Sequence, residues 1–350
     1  MKTKAYARAG VDIDLGNQVK SGLPQLLAST HRPEVLGKVG GFGGLFALKG
    51  SRYKKPVLVS SVDGVGTKLK IAFATGCHGT IGQDLVNHCV NDIAVLGAES
   101  LFFLDYLGTG KLEPHVFEEI IGGFARACAD NRCALIGGET AQMPGFYQPG
   151  EYDVSGTIVG VVDKDRMLTG KEIRAGDVVL GLASNGLHTN GYSLARKVLL
   201  EEMGLKLGKR VPEFGTTLGE ELLRVHRSYG LLVQALVKKF NPAAGQRGIK
   251  GLAHITGGGF VDNIPRVLPS KLDVVIEKGT WDIPPVFSLI QKGGAVEESE
   301  MYQVFNMGIG MVLIVDPTVA SKVMQTCVKA GETVKAIGEV VRGQGLARIV

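Results

Sequence analysis

One stretch limits what this chain can become more than any other: residues 58–72, LVSSVDGVGTKLKIA. Residues 58–62 are apolar and β-branched enough to form a buried strand. The run then breaks at Asp63-Gly64-Val65-Gly66-Thr67-Lys68. Its two glycines let the backbone pass close to a ligand, and an Asp, a Thr and a Lys surround that approach. A carboxylate can take a divalent cation, while a hydroxyl, an ammonium and backbone N–H groups can take phosphate oxygens. The same residues also make an ordinary turn with a surface lysine, so the loop acquires meaning only from its company.

That company is consistent. Residues 80–100, TIGQDLVNHCVNDIAVLGAES, predict a helix with an apolar stripe at Leu85, Cys89, Ile93 and Leu96, stopped by Gly97. Its other face carries Asp84, Asn87, His88, Asn91 and Asp92. These are poorer helix formers than the Lys/Glu pairs of a solvated face, so their functional groups are wanted there. Asp92, with Asn91 in support, is expected to share a metal with Asp63. Residues 100–110 predict a strand ending in Asp105. A helix follows over 113–129, and residues 133–145 predict a strand running into Gly137-Gly138-Glu139-Thr140. Three strand ends and one helix face thus supply carboxylates. Upstream, residues 36–48 place Gly40, Gly41, Gly43 and Gly44 around Phe42. This segment reads either as an anion-wrapping loop or as a tight hairpin packed on Phe42 and Phe46. Residues 1–36 read as a terminal arm with a short helical pattern over 19–27.

A composition shift over 165–177 marks a domain boundary, which gives an N-terminal domain of 1–170 and a C-terminal domain of 171–350. In the second, a strand leads to Ser184-Asn185-Gly186-Leu187-His188-Thr189-Asn190-Gly191 and a helix from about Tyr192. Small polar residues at a helix start leave free N–H groups for a phosphate. The pattern recurs at residues 251–269: strand, His254, Thr256, Gly257-Gly258-Gly259, helix. His188 and His254 both sit beside glycine turns, as structural or catalytic imidazoles. Residues 301–315 and 337–350 complete a second sheet.

Composition narrows the function. There are 50 glycines among 350 residues, clustered and without a three-residue period, so they read as turns and ligand loops. Aromatics make up 6% and the 39 basic residues are scattered, which argues against a nucleic-acid surface. No apolar run reaches the ~20 residues of a membrane helix. Five cysteines without a CxxC pair point to free thiols in a reducing cytosol. Neither GxxxxGK[ST] nor GxGxxG occurs, so a bound nucleotide would not rest on a Walker or Rossmann loop.

The chain resembles the phosphoribosylformylglycinamidine cyclo-ligase (AIR synthetase) family over nearly its whole length. The likeness rests on YARAGVDID, GGFGGLFAL, DGVGTKLKIA, TIGQDLVNHCVNDI, FFLDYLGTGKL, GGETAQMPG, YDVSGTIVGVVDK, SNGLHTNGYSLAR, GLAHITGGGFVDNIPRVLP and VFNMGIGM. It departs from the family's usual pattern at Val62, His88 and Gln142. The resemblance implies a two-domain α/β fold with mixed sheets, in which the N-terminal domains of two subunits pair into a β-barrel. It implies a cytoplasmic homodimeric enzyme that uses ATP and Mg²⁺, with K⁺ a further candidate ion, to cyclise formylglycinamidine ribonucleotide. No nucleic acid or membrane partner is implied. Mg²⁺ would be held by Asp63, Asp92 and Glu139. ATP would lie against Gly40, Gly41, Phe42, Gly43, Gly44, Gly64, Gly66, Thr67, Lys68 and Asn91. The substrate would meet Ser184, Asn185, Gly186, His188, Asn190, Gly191 and Gly257–Gly259. Asp92, Lys68 and either His188 or His254 would carry the chemistry.

Overall fold

The structure, a computed structural model, describes residues 9–36, 43–48, 52–243, 245 and 247–350. Strands β1 (Pro56–Gly64), β2 (Glu99–Thr109), β3 (Ala134–Gln142) and β4 (Tyr152–Asp163) form one sheet in the order β1-β4-β2-β3. Only β2 and β3 run parallel. A parallel pair needs a crossover, and the Pro114–Asp130 helix supplies it, opening on Pro114 at its first turn. Its Phe117, Ile120, Ile121 and Phe124 are buried. It packs beside the Ile81–Ala94 helix at two glycines. A Cβ on Gly82 would fall 2.3 Å from the Ile120 carbonyl oxygen, and one on Gly123 would fall 2.9 Å from that of Gly79.

Both helices cover one face of this sheet, where Phe103 and Ile158 are fully buried. The opposite face is covered by Phe46 at Phe102 and, among the described residues, is open at β1. Leu58 and Val62 of β1 are 59% and 65% exposed. The expected buried strand is therefore buried on one face only, because its side chains alternate and only the helix side is covered. Leu96 is also exposed, since the helix ends at Ala94; Gly97 closes the turn with φ +79° and its N–H on the Ala94 carbonyl.

The N-terminal arm is structured where it is described. Helices Ile13–Lys20 and Leu23–Ala28 form, the first capped by Asp12, whose Oδ1 accepts from Leu15 N at 3.0 Å. Arg32 ties the segment down through the carbonyls of Ser100 and Arg132 at 3.1 and 3.0 Å. Gln142 donates to the Asp12 carbonyl at 3.3 Å.

After β5 (Val178–Ala183), a small ribbon of β6 (Arg210–Val211) and β7 (Thr216–Thr217) precedes β8 (Ile249–His254), β9 (Leu272–Ile276), β10 (Ile309–Val315), β11 (Val334–Arg342) and β12 (Ala347–Ile349). The larger sheet runs β12-β9-β11-β5-β10-β8, antiparallel except at β12–β9. Every residue of β10 is buried. One face of this sheet packs Leu180, Leu182 and Met311 against Val233, Leu236 and Val323 of the helices Gly230–Phe240 and Ala320–Lys329. The other face merges with the core of the first sheet. Residues 301–315 are not all strand: the Glu298–Val304 helix occupies their start, with Met301 and Tyr302 on its buried side.

Candidate active site

Where the two sheets meet, five segments bring their polar residues together. β1 delivers Asp63 at its end. The Ile81–Ala94 helix delivers His88 and Asp92, one turn apart on one face. β8 ends on His254. The loop after β5 supplies His188 and Thr189, and the segment before the Gly230–Phe240 helix supplies His226.

All of these side chains except His188 form one hydrogen-bonded cluster. Asp63 Oδ2 lies 2.9 Å from His88 Nε2, and Asp92 Oδ1 lies 2.8 Å from His254 Nδ1. Ser61 donates its hydroxyl to Asp92 Oδ2 at 2.9 Å. Thr189 Oγ1 stands between His88 Nδ1 (2.7 Å) and His226 Nδ1 (3.1 Å), and His226 Nε2 faces His254 Nε2 at 3.1 Å. His188 stacks on His226 with ring centroids 4.1 Å apart.

Electrostatics divides the cluster. Burial disfavours the charged forms of Asp63 and Asp92, yet the imidazoles of His88 and His254 outweigh it and hold both below the usual carboxylate range. Burial likewise works against charge on His88, but the Asp63 hydrogen bond and the Asp92 charge prevail and raise its pKa. His254 is lowered by burial, with Asp92 opposing. His188 and His226 are pushed well down, chiefly by burial, and stay neutral. The result is two anionic carboxylates at the mouth, His88 favoured in its protonated form against them, and the neutral imidazoles of His188 and His226 beneath.

A cleft of about 320 Å³ opens beside the carboxylates, lined by Ser61, Asp63, Asp92, His254, Thr256 and Arg266 among others. Past Asp63 the chain turns through Gly66 at φ +66° to Thr67, which is hydrogen-bonded to Ser193 at 3.0 Å. On the far side the glycine turn is stitched by Asn263, whose amide donates to the carbonyls of Thr256, Gly257 and Gly259. Gly258 and Gly259 adopt φ +94° and +57°. Asn190 bonds Thr256 at 2.7 Å, and Gly191, at φ +77°, starts the Tyr192–Arg196 helix against Phe305.

Several expected site residues lie elsewhere. Lys68 is fully buried, and its ammonium is used up on Asp84 (2.8 Å) and the carbonyls of His188 (3.1 Å) and Arg224 (2.7 Å). It clasps three segments together and presents nothing to a phosphate. Burial pushes Asp84 up to about 6, against the attraction of Lys68. Asn91 is also spent inward: it accepts from Tyr229 N and donates to the Arg227 carbonyl, both at 2.8 Å. Glu139 cannot share an ion with Asp63. The register Asp63–Gly156–Asp105–Gly138 crosses the sheet, so Glu139 is one residue past that row and on the opposite face. Three strand spacings also separate it from β1 by about 14 Å. Asp105 is pushed up to about 7, first by burial and then by Glu139, which makes it a poor cation ligand.

Ser184 bonds Asn306 (2.9 Å) and the Gly186 carbonyl (3.1 Å), and Asn185 donates to the Val225 carbonyl, leaving its own buried Oδ1 unpaired. Gly40, Gly41 and Phe42 lie outside the described residues. Downstream, Gly44 rests on Ile136, and an antiparallel Val35–Phe46 bridge seats Phe46 on Phe102 (centroids 5.5 Å), the hairpin alternative for this part.

Three contributors went unassigned from sequence. His88 could have been found from its position four residues before Asp92 on one helix face. Arg266 lies in the stretch GGGFVDNIPRVLP but carries no spacing signal. His226 sits in a loop with none at all.

The chain matches the AIR synthase related protein models, the N-terminal domain over residues 51–162 and the C-terminal domain over 174–350. The chain belongs to the AIR synthase related family. It is 52% identical to a phosphoribosylformylglycinamidine cyclo-ligase of Citrifermentans bemidjiense, over 96% of this chain and 95% of the relative. It is 50% identical to one of Geobacillus thermodenitrificans, over 98% and 97%. Among solved structures, the hydrogenase maturation protein HypE in complex with ATP aligns with a TM-score of 0.66 at 18% identity, covering 95% of this chain and 90% of that one. This last likeness speaks for the fold. As a member of the family, the chain is a cyclo-ligase, an enzyme that forms C–N bonds, of purine biosynthesis. Among the described residues no helix is long and apolar enough to cross a membrane.

Proposed function

We propose that this enzyme closes the imidazole ring of aminoimidazole ribonucleotide from formylglycinamidine ribonucleotide, with ATP converted to ADP and phosphate. The supporting observation is the convergence of Asp63, Asp92, His254, Thr256 and Arg266 on one cleft, in a chain half identical to cyclo-ligases. The N-terminal part, 1–170, holds ATP and the dimer contact, and 171–350 completes the substrate side.

An amide oxygen is a poor leaving group. The γ-phosphoryl group of ATP passes to the formyl oxygen: a P–O bond forms there and ADP departs. The amidine nitrogen of the same molecule then attacks the formyl carbon. The C–N bond forms, the C–O bond breaks, and phosphate leaves with the oxygen. Because the attack is intramolecular, positioning supplies much of the rate. Phosphoryl transfer needs mainly alignment and charge neutralisation.

Asp63 and Asp92 fit Mg²⁺: they are anionic carboxylates on the cleft wall, the hard oxygen donors that ion takes. When bound, Mg²⁺ supplies charge neutralisation to the phosphates. Gly64, Gly66 and Thr67 lie against the polyphosphate; Gly44, packed on Ile136 of β3, is set apart from it. Arg266 provides the cleft cation that Lys68, sealed inside, does not. Asn190 and the Gly257–Gly259 turn face the substrate. His254, on the cleft wall and backed by Asp92, accepts the amidine proton; His188, packed under His226, holds the loop. K⁺ dependence belongs to the proposal and is tested by omission from the assay.

The open sheet face bearing Leu58 and Val62 supports a homodimer whose two sheets close on each other in the cytoplasm. The chemistry is tested with isotopically heavy oxygen in the formyl group. The proposal expects the label in the released phosphate; label retained elsewhere contradicts phosphorylation of that oxygen.

A further inference from the structure

His88 gives the carboxylate pair something a Mg²⁺ site does not need, an imidazole. Its Nε2 stands 2.9 Å from Asp63 Oδ2 and 3.9 Å from Asp92 Oδ2. Donor atoms of His88, Asp92 and His254 lie within 4.8 Å of one another. In a tetrahedral zinc site with bonds of about 2.0–2.2 Å, neighbouring donor atoms sit roughly 3.4 Å apart. The two His88 distances straddle that value, so a small rotation of His88 sets its Nε2 at ligand spacing from both Asp63 Oδ2 and Asp92 Oδ2.

Each donor is already aimed by a neighbour. Asp92 Oδ2 receives the Ser61 hydroxyl at 2.9 Å, while its Oδ1 meets His254 Nδ1 at 2.8 Å. Asp63 Oδ1 receives the Gly64 N–H at 2.7 Å, leaving Oδ2 for the cluster. His88 Nδ1 meets Thr189 Oγ1 at 2.7 Å, and that hydroxyl also meets His226 Nδ1 at 3.1 Å. When Thr189 donates to His226, it accepts the His88 Nδ1 proton. A dication at Nε2 takes the place of the proton that His88 shares with Asp63, and the tautomer this leaves is the one Thr189 can hold. Support of this kind on the far ring nitrogen is what ligating histidines have.

We propose that His88, Asp63 and Asp92 form a mixed nitrogen–oxygen site for a transition-metal dication of the Zn²⁺ or Co²⁺ kind, with His254 as the hydrogen-bond partner of Asp92. It deepens, and rests on, the reading of Asp63 and Asp92 as ion ligands. Carboxylates alone suit Mg²⁺; imidazole shifts preference toward zinc and its neighbours. The same pocket then takes a transition metal in competition with Mg²⁺.

The test is titration of chelator-stripped, full-length protein with Co²⁺ in the absence of nucleotide, followed by visible absorption. The expected result is one Co²⁺ per chain with ligand-field bands, removed by Zn²⁺. His88→Leu is expected to weaken Zn²⁺ binding at least ~10-fold. Thr189→Val, which keeps the ligand but removes its support, is expected to weaken it by about 10–100-fold, and far-ultraviolet circular dichroism verifies that both variants fold. No cobalt bands in the parent protein, or unchanged affinity in a folded variant, overturns the proposal and leaves His88 an ion-pair partner of Asp63. Because no nucleotide is present, that failure leaves ATP-driven ring closure standing; failure of the ring-closure assay in turn leaves the cobalt result standing.

Discussion

Asp92 is the residue on which the cleft turns, because its two oxygens are divided between Ser61 and His254 while it faces the cavity. Asp92→Asn removes the charge and keeps the shape. Turnover is expected to fall by at least ~10²-fold, read from steady-state rates at saturating ATP; near-parental turnover with parental Mg²⁺ dependence removes Asp92 from ion binding. His188 offers a test of a different kind. Burial holds it well below 6.5 in the folded protein, so below that pH the unfolded chain takes up a proton that the folded chain refuses. Stability from this group is present at neutral pH and lost as pH falls. His188→Asn, which tolerates the backbone φ of +61°, is expected to flatten the fall in unfolding free energy below pH 6.5. The flattening reaches up to ~1.4 kcal/mol per pH unit relative to the parent. Urea midpoints at several pH values measure it, and parallel curves for the two proteins contradict it. At this scale the sequence showed Asp63, Asp92 and His254 because each follows a strand or shares a helix face with other polar groups. It hid the inward turn of Lys68, since an exposed and a buried lysine have the same letter, and only the packing of three segments around Asp84 decides which this is.

At the scale of elements, periodicity and turn chemistry made most strands and helices legible. The glycine junctions after β1, β5 and β8 all appear where they were read. The failures came where tertiary partners decide. β1 has one open face, residues 301–304 are helical because Met301 and Tyr302 pack inward, and Glu139 is parted from Asp63 by a strand order that its sequence position does not reveal. The two helices behind the first sheet meet at Gly82 and Gly123. Gly82→Ala puts a methyl group where the Ile120 carbonyl and Phe124 amide stand, at 2.3 and 2.4 Å from its Cβ. The two helices must separate, and a loss of about 1–3 kcal/mol is expected, seen as a lower urea midpoint with an unchanged slope; an unchanged midpoint means the helices part freely.

For the molecule as a whole, the first sheet carries one carboxylate and the open face, the second carries His254 and the glycine turn, and the cleft exists only because their cores merge. The open face is where a second copy is expected to dock. Leu58→Lys with Val62→Lys puts charge onto it and is expected to halve the mass in sedimentation velocity; a parental mass places the dimer contact elsewhere. The central claim is that ATP consumption and ring closure are one reaction at this cleft. The most direct measurement is ADP release from Mg·ATP with and without formylglycinamidine ribonucleotide, with aminoimidazole ribonucleotide followed in the same tube. The account predicts negligible ADP without the ribonucleotide and one product ring for each ADP with it. ADP formed without product, or product formed without ADP, contradicts it.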